Sequence, residues 1–281
     1  MNKGALKILI LGHTGLLGSA IYNHLSSKFE CLSPSSFELD VTSEDSVKSY
    51  FQLDFDWVIN ATGYTQVDLA ETETEKAYLL NQKAVEILAS ACRLKQVPII
   101  HFSTDYVFDG TLDRPYLESD LANPINVYGK SKWSGEQSLR QIWDQYYIFR
   151  VQWLYGDRSP NFIEQMLNLS KTNQVLRVVS DQWGSPTSVF EIALVINKVL
   201  SAIEELEFGT YHLRASGKTN WAGYAREIFK IKEIDIDVQD VGTDAFPRPA
   251  NRPKNGVLDQ GNFNQFHKMA HWADVLAKHL K

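Results

Sequence analysis

Short apolar runs alternate with stretches of helical spacing through the first half of the chain. Residues 6–11 (Leu-Lys-Ile-Leu-Ile-Leu) form the first run, and others stand at 29–32, 55–60, 97–102 and 146–151. Each is short, apolar and bounded by polar or turn-forming residues, so each predicts a strand. Between them, residues 19–25 and 73–94 carry apolar positions three and four apart. The second segment puts Ala77, Leu80, Ala84, Leu88 and Ala91 on one stripe and predicts a single long helix. Strands spaced by helices predict parallel pairing with right-handed crossovers, hence an α/β fold built on a doubly wound parallel sheet. After about residue 153 the alternation weakens. Proline and glycine gather at Ser159-Pro160, Gly184-Ser185-Pro186 and Phe246-Pro247-Arg248-Pro249. This predicts a Rossmann-type domain over residues 1–153 and a smaller C-terminal substrate-binding lobe over residues 154–281. The lobe is expected to interleave partly with the sheet, because residues 175–179 and 210–213 still read as strands.

The first run ends in Gly12-His13-Thr14-Gly15-Leu16-Leu17-Gly18 and passes straight into a helical pattern. Strand, glycine turn and helix in that order are the setting in which a glycine motif signals dinucleotide binding. The first glycine permits the turn, the second lets backbone approach a pyrophosphate, and the third allows close packing of helix on strand. In such folds ligands sit outside the carboxyl ends of the strands, where the glycine turn, Ala61-Thr62-Gly63-Tyr64 and Thr104 all fall. An acid about 20 positions after the turn normally selects NAD through its ribose 2′-OH. Here the second strand ends in Ser33-Pro34-Ser35-Ser36, with neither acid nor arginine. NADPH is therefore the expected cofactor and NADH the alternative.

Downstream, Ser103-Thr104-Asp105-Tyr106-Val107-Phe108-Asp109-Gly110 precedes Tyr128-Gly129-Lys130-Ser131-Lys132. A hydroxyl, a phenol and an ammonium in that order suit reduction of a carbonyl. Tyr128 and Lys132 are four apart, one helical turn, so they share a face. A free tyrosine titrates near pH 10, and a neighbouring cation should pull that value down. Thr104 is placed to hold a substrate oxygen against the phenol.

The net charge is −6 with no basic run, which argues against nucleic acid or an anionic membrane surface as partner. No apolar stretch approaches about 18 residues, so no membrane span is expected. Residues 1–4 lead directly into the first strand, leaving no room for a signal peptide. Cys31 and Cys92 read as small core residues in a reducing compartment, the cytoplasm by default. His101, inside a strand, reads as a satisfied core histidine, and the seven histidines show no metal-ligand spacing with the cysteines. Glu71, Glu73 and Glu75 suit a solvated helix start. Trp153 and Trp183 fit either core packing or a site.

These blocks together resemble the dTDP-4-dehydrorhamnose reductase family of extended short-chain dehydrogenase/reductases. The resemblance runs over nearly the whole chain and adds residues 60–68 and 181–187 and the pair Arg252-Pro253 to the motifs above. It implies NAD(P)H-dependent reduction of the C4 ketone of a nucleotide-linked 6-deoxyhexose. By the same resemblance Tyr128 is the proton donor, Lys132 binds the nicotinamide ribose and Thr104 meets the reacting oxygen. Asp40 and Val41 fall where the family contacts adenine, although Asp40 would also serve to cap a helix starting near Ser43. Tyr64, Thr65 and Val67 line the nicotinamide and sugar site, Trp153 lies near the sugar, and Arg252 reaches the diphosphate. A homodimer is compatible with this reading. Two positions depart from the family: Arg150-Val151-Gln152-Trp153 replaces Arg-Thr-Ser-Trp, and Gly256 stands where serine is usual. Related sugar-nucleotide dehydratases and epimerases form one alternative, disfavoured because Asp105-Tyr106 lacks their Asp-Glu pair. A regulatory subunit like that of methionine adenosyltransferase is the other.

Overall fold

Along β1 (Lys7–Leu11) alternate side chains serve two different cores. Ile8 and Ile10 pack into one apolar cluster, Leu9 and Leu11 into another, and all four are buried. A strand whose two faces are both covered reads as a continuous apolar run, which is the pattern seen in the sequence. The computed structural model describes residues 6–158, 161–261 and 263–281. Residues 1–4 and Ser159-Pro160, singled out above, fall outside these.

The chain continues through α1 (Leu16–Leu25), β2 (Glu30–Leu32), α2 (Glu44–Tyr50), β3 (Trp57–Asn60), α3 (Val67–Ala70), α4 (Thr74–Tyr78), α5 (Ala84–Lys95), β4 (Ile99–Thr104), α6 (Val127–Ile142) and β5 (Tyr146–Val151). Then come β6 (Leu154–Tyr155), α7 (Phe162–Ser170), β7 (Val175–Val179), β8 (Trp183–Gly184), β9 (Thr187–Ser188), α8 (Val189–Ser201), β10 (Gly209–His212), β11 (Thr219–Asn220), α9 (Trp221–Ile231), β12 (Asp237–Val241), α10 (Phe263–Phe266) and α11 (Trp272–Leu280). Six strands form the main sheet in the order β2-β1-β3-β4-β5-β10. Every pairing in it is parallel. The winding reverses between β1 and β3, the topological switch point at which doubly wound sheets bind ligands. Residues of α1 and α8 cover one face of the sheet, and residues of α2, α5 and α6 cover the other.

The lobe has its own core, drawn from α7, β7, α9, β12 and α11. Of the two late strands expected to interleave with the sheet, only β10 does so, pairing with β5. Strand β7 pairs instead with β12 in a separate two-stranded ladder. Its alternating burial explains the difference: Leu176 and Val178 face the lobe core while Val175 and Arg177 are exposed.

The expected long helix is continuous from Thr74 to Lys95 but not uniform. A π-helical turn, Leu79–Lys83, joins α4 to α5. It swings Asn81 inward, fully buried, where its amide accepts from Tyr64 N at 2.8 Å and donates to Tyr64 O and Ser131 Oγ. Such one-turn bulges often mark functional sites, and this one ties the loop after β3 to α6. Among the described residues no helix is long and apolar enough to cross a membrane, and Cys31 and Cys92 are free thiols.

Candidate active site

The carboxyl ends of β1 and β3 make a cradle. Gly12 leaves β1 at φ +82°, and a Cβ there would come within 2.8 Å of the Ala61 carbonyl. A Cβ on Gly18 would lie 2.1 Å from Gly12 O, so only glycine lets α1 sit this close to the turn. Gly15 differs: its Cβ would meet only Gly12 O, at 3.4 Å, and that side of the turn is open. Gly15 also begins α1 with no side chain capping the helix and no acid in the first turn. The free N–H groups and positive helix end fit the pyrophosphate of a dinucleotide. His13 and Thr14 line the turn, and Arg158 from beyond β6 donates to Thr14 O. Leu16 is half-buried and Leu17 buried behind it.

After β2, Asp40 accepts from Thr42 N and Oγ1 at 2.9 and 2.7 Å, with Val41 buried. The cap of α2 is Ser43, whose hydroxyl accepts from Ser46 N, so Asp40 is not used as the helix cap. The loop after β2 carries an acid, Glu38. Glu38 Oε2 accepts from both Ser35 N and Ser35 Oγ at 2.8 Å. The Ser35 N–H and hydroxyl hold its carboxyl below the ordinary value, and His13 in the glycine turn adds to the effect.

Thr104 ends β4 and Tyr128 begins α6. The helix is started by Asn126, whose side chain accepts from Gly129 N at 2.7 Å, and by Glu71, which accepts from Val127 N at 2.8 Å. The Thr104 hydroxyl donates to Asp105 Oδ1 at 3.0 Å and faces the Tyr128 phenol. Burial pushes Tyr128 up to about 12, against a lowering by Thr104 and with a further rise from Asp105. The expected pull of Lys132 on the phenol is absent. Lys132 Nζ donates instead to Phe102 O at 2.5 Å and lies 3.5 Å from His101 Nε2. Burial lowers Lys132 to about 8, offset in part by Glu136 one turn on. Asp105, also buried, is raised to about 7. Glu136 is itself neutralised by Arg150, at 2.8 and 3.0 Å, and by Arg140 at 2.8 Å.

The loop after β3 brings Ala61, Thr62 and Gly63 beside the cradle; a Cβ on Gly63 would be 3.7 Å from Lys132 Nζ. Tyr64 turns its phenol to Glu73 at 2.8 Å. Thr65 is exposed and Val67 half-buried at the start of α3. The Tyr106 ring meets Tyr128 edge-on, centroids 5.6 Å apart. Two clefts of about 1190 and 670 Å³ flank the segment 246–252 and share Thr243, Arg248 and Arg252. Tyr106 lines the smaller. Arg252 does not stand free: its guanidinium grips Asp68 with bonds of 2.6 and 2.8 Å. Trp153, at φ +47°, stacks on Trp221 with centroids 3.6 Å apart and sits at the rim of the lobe core. Trp183 is part-exposed in the larger cleft.

A family model described as the RmlD substrate binding domain matches residues 6–281. The chain belongs to this family. It is 35% identical over 278 residues to a dTDP-4-dehydrorhamnose reductase of Salmonella typhimurium, covering 92% of this chain and 91% of that one. The structure is similar to that of a dTDP-4-dehydrorhamnose reductase from Clostridium acetobutylicum, with TM-score 0.93, 37% identity and 98% of each chain covered. It is also similar to the Bacillus anthracis dTDP-4-dehydrorhamnose reductase in complex with NADP, with TM-score 0.93, 31% identity and coverage of 98% and 99%.

Within this family fold the two departures lie close together. Val151 is the β5 partner of Thr104 in the ladder and is buried. Gln152 turns inward to accept from Ser185 N at 3.2 Å, leaving its buried Nε2 without a partner. Gly256 lies against Asp105. Several residues of the site carried little sequence signal. Glu38, Arg158 and Arg248 are single charges in loops, Trp221 opens an ordinary helix, and Asn81 is one polar residue in an apolar stripe.

Proposed function

We propose that this protein is an NADPH-dependent reductase of the C4 ketone of a dTDP-linked 6-deoxy-4-keto hexose, acting in deoxysugar biosynthesis. The observation that carries the reading is the Thr104 hydroxyl at the end of β4 facing the Tyr128 phenol, with Lys132 buried one helical turn on and an open glycine cradle nearby. Gly12 to Gly18, Asp40, Val41 and residues 61–64 would hold the dinucleotide, which supplies the hydride when bound. Tyr128, held at about 12, is fully protonated at neutral pH and is therefore equipped to give its proton to a carbonyl oxygen as that oxygen gains charge. The Thr104 hydroxyl is oriented by Asp105 to share that oxygen. Lys132 would bind the ribose and balance charge as the phenol loses its proton.

On the substrate side the reading has Thr65, Val67 and Trp153 beside the sugar. The smaller cleft suits a nucleotide: Phe162 and Trp221 offer aromatic faces, with Arg177, Arg248 and Arg252 around them. Arg248, 57% exposed and only 3.7 Å from Asp68, is freer than Arg252 to meet a diphosphate. We place the division between cofactor domain and substrate lobe near residue 153, with α8 and β10 returning to the first. The free thiols support a cytoplasmic enzyme. Incubating the pure protein with dTDP-, UDP- and CDP-linked 4-keto sugars while following NADPH absorbance tests the reading, and sedimentation tests a homodimer. Failure of every sugar to oxidise NADPH would return the chain to the regulatory-subunit alternative.

A further inference from the structure

His101 has no solvent-exposed surface, yet both of its ring nitrogens face polar groups. Its ladder partner on β3 is Asn60, whose Nδ2 lies 3.2 Å from His101 Nδ1. The orientation of that amide is fixed from its other end: Asn60 Oδ1 accepts from Thr62 N at 3.0 Å and from Thr62 Oγ1 at 2.6 Å. A backbone N–H can only donate, so the amide oxygen must face Thr62 and the amide nitrogen must face His101. The amide nitrogen also only donates, so His101 Nδ1 is the acceptor and the ring hydrogen sits on Nε2. That N–H is aimed at Lys132 Nζ, 3.5 Å away.

An ammonium has three donors and no lone pair, whereas a free amine can accept. We propose that the Thr62–Asn60–His101 chain fixes the Nε2–H tautomer of His101 and makes it the positioning residue that parks Lys132 as a free amine against Phe102 O. Once protonated, Lys132 opposes a donor in this place and is released toward the cradle. The other groups facing it are Glu136 one turn on, with its oxygens engaged by Arg140 and Arg150, and the loop at Gly63. Burial lowers Lys132 to about 8, so the parked amine is the form above about pH 8 and the released ammonium the form below it, while burial keeps His101 neutral well below its ordinary titration range. Because Thr62 belongs to the loop beside the glycine turn, dinucleotide binding and the charge on Lys132 are linked through this chain. That linkage rests on the reductase reading; the tautomer does not.

Nitrogen-15 NMR of histidine-labelled protein reads the tautomer directly, and the Cε shift of labelled lysine reads the titration of Lys132. The wild-type protein should show His101 protonated only at Nε2 from about pH 5 to 9. In Asn60→Asp the carboxylate accepts from Nδ1–H, the tautomer switches, and Nε2 becomes an acceptor for the ammonium. The Lys132 midpoint should then rise by about one unit or more. NADP⁺, followed by fluorescence quenching, should bind about tenfold more weakly, because the ammonium is now held back. If Asn60→Asp fails to fold, His101→Gln offers the same readout, since its amide oxygen can turn to Lys132 and should raise the midpoint likewise. A wild-type Nδ1–H tautomer, or a Lys132 midpoint unmoved in the folded variant, overturns the proposal. Loss of turnover on every sugar with the expected tautomer in place would count against the reductase reading instead.

Discussion

The carboxylate of Asp105 and the bare backbone of Gly256 share one space: a Cβ at position 256 would lie 2.5 Å from Asp105 Oδ2. Asp105 cannot easily yield that space, because its other oxygen holds the Thr104 hydroxyl. The absence of a side chain at 256 and the placing of Thr104 beside Tyr128 are thus one arrangement.

Gly256→Ala is therefore expected to displace the Asp105 carboxylate and lower kcat/KM, with little change in dinucleotide affinity. Asp105→Ala removes the obstruction, so the double variant should lose less than the two single losses together. A coupling of roughly 0.5–3 kcal/mol is the range for residues in contact. Strict additivity in the kinetics of the four proteins would separate the two positions.

Asp105 also leaves a mark on stability. Burial raises it to about 7, above its ordinary value, so the folded state favours the protonated acid. That contribution is complete at low pH and is lost as the pH rises through about 7, at a cost on the order of 4 kcal/mol once ionised. Asp105→Asn should therefore stabilise the protein at pH 8 much more than at pH 5. Thermal melts showing the same shift at both pH values would mean that Asp105 is not the titrating group.

Tyr128→Phe removes the proton donor and leaves the glycine cradle untouched. Turnover should fall by about 10²–10⁴-fold, the usual worth of positioned proton transfer, while NADP⁺ affinity stays near that of the wild type. A phenylalanine variant with near-normal kcat would remove the phenol from the mechanism.

Arg252 and Asp68 form a paired, charge-assisted contact with the arginine only 16% exposed. Arg252→Lys keeps the charge but not the fork, so it should loosen segment 246–252 and raise KM for the sugar nucleotide several-fold more than KM for NADPH. Asp68→Asn should produce much of the same defect through the arginine it leaves without its partner. If Asp68→Asn leaves the sugar-nucleotide KM unchanged, Arg252 acts on the substrate directly rather than through its pairing.

Glu38 places a carboxylate beside the glycine turn, held by Ser35 and facing His13. A carboxylate there accepts from a ribose 2′-OH and repels a 2′-phosphate. Glu38→Gln should raise the ratio of kcat/KM for NADPH over that for NADH. An unchanged ratio would place the ribose away from this loop.

The sheet was legible because a strand covered on both faces reads as an unbroken apolar run, and the five runs up to Val151 all became strands. The glycine turn and Tyr128/Lys132 were legible because backbone close approach and helical spacing restrict residue type and position. What the sequence did not disclose depends on contacts distant in the chain. The π-helical turn at Leu79–Lys83 is set by Asn81 reaching Tyr64 and Ser131, not by local propensity. The resting place of Lys132 on Phe102 O depends on a strand 30 positions away, so helical spacing alone did not foretell it. Strand β7 looked like a sheet strand because five residues of alternating burial carry no label for their partner. The pairing of Arg252 with Asp68 spans 184 positions, beyond the reach of any spacing rule.

The return of α8 and β10 to the main sheet has a consequence for anyone who would exchange lobes between related enzymes. A single cut after residue 153 would strip β5 of its outer neighbour and uncover Ile192, Ile196 and Val199, all now buried. The bared strand edge and apolar face would invite aggregation rather than an independent half-protein. A workable chimera has to be cut in several places, before and after α8–β10, so that this stretch travels with the glycine turn rather than with the core formed by α7, α9 and α11.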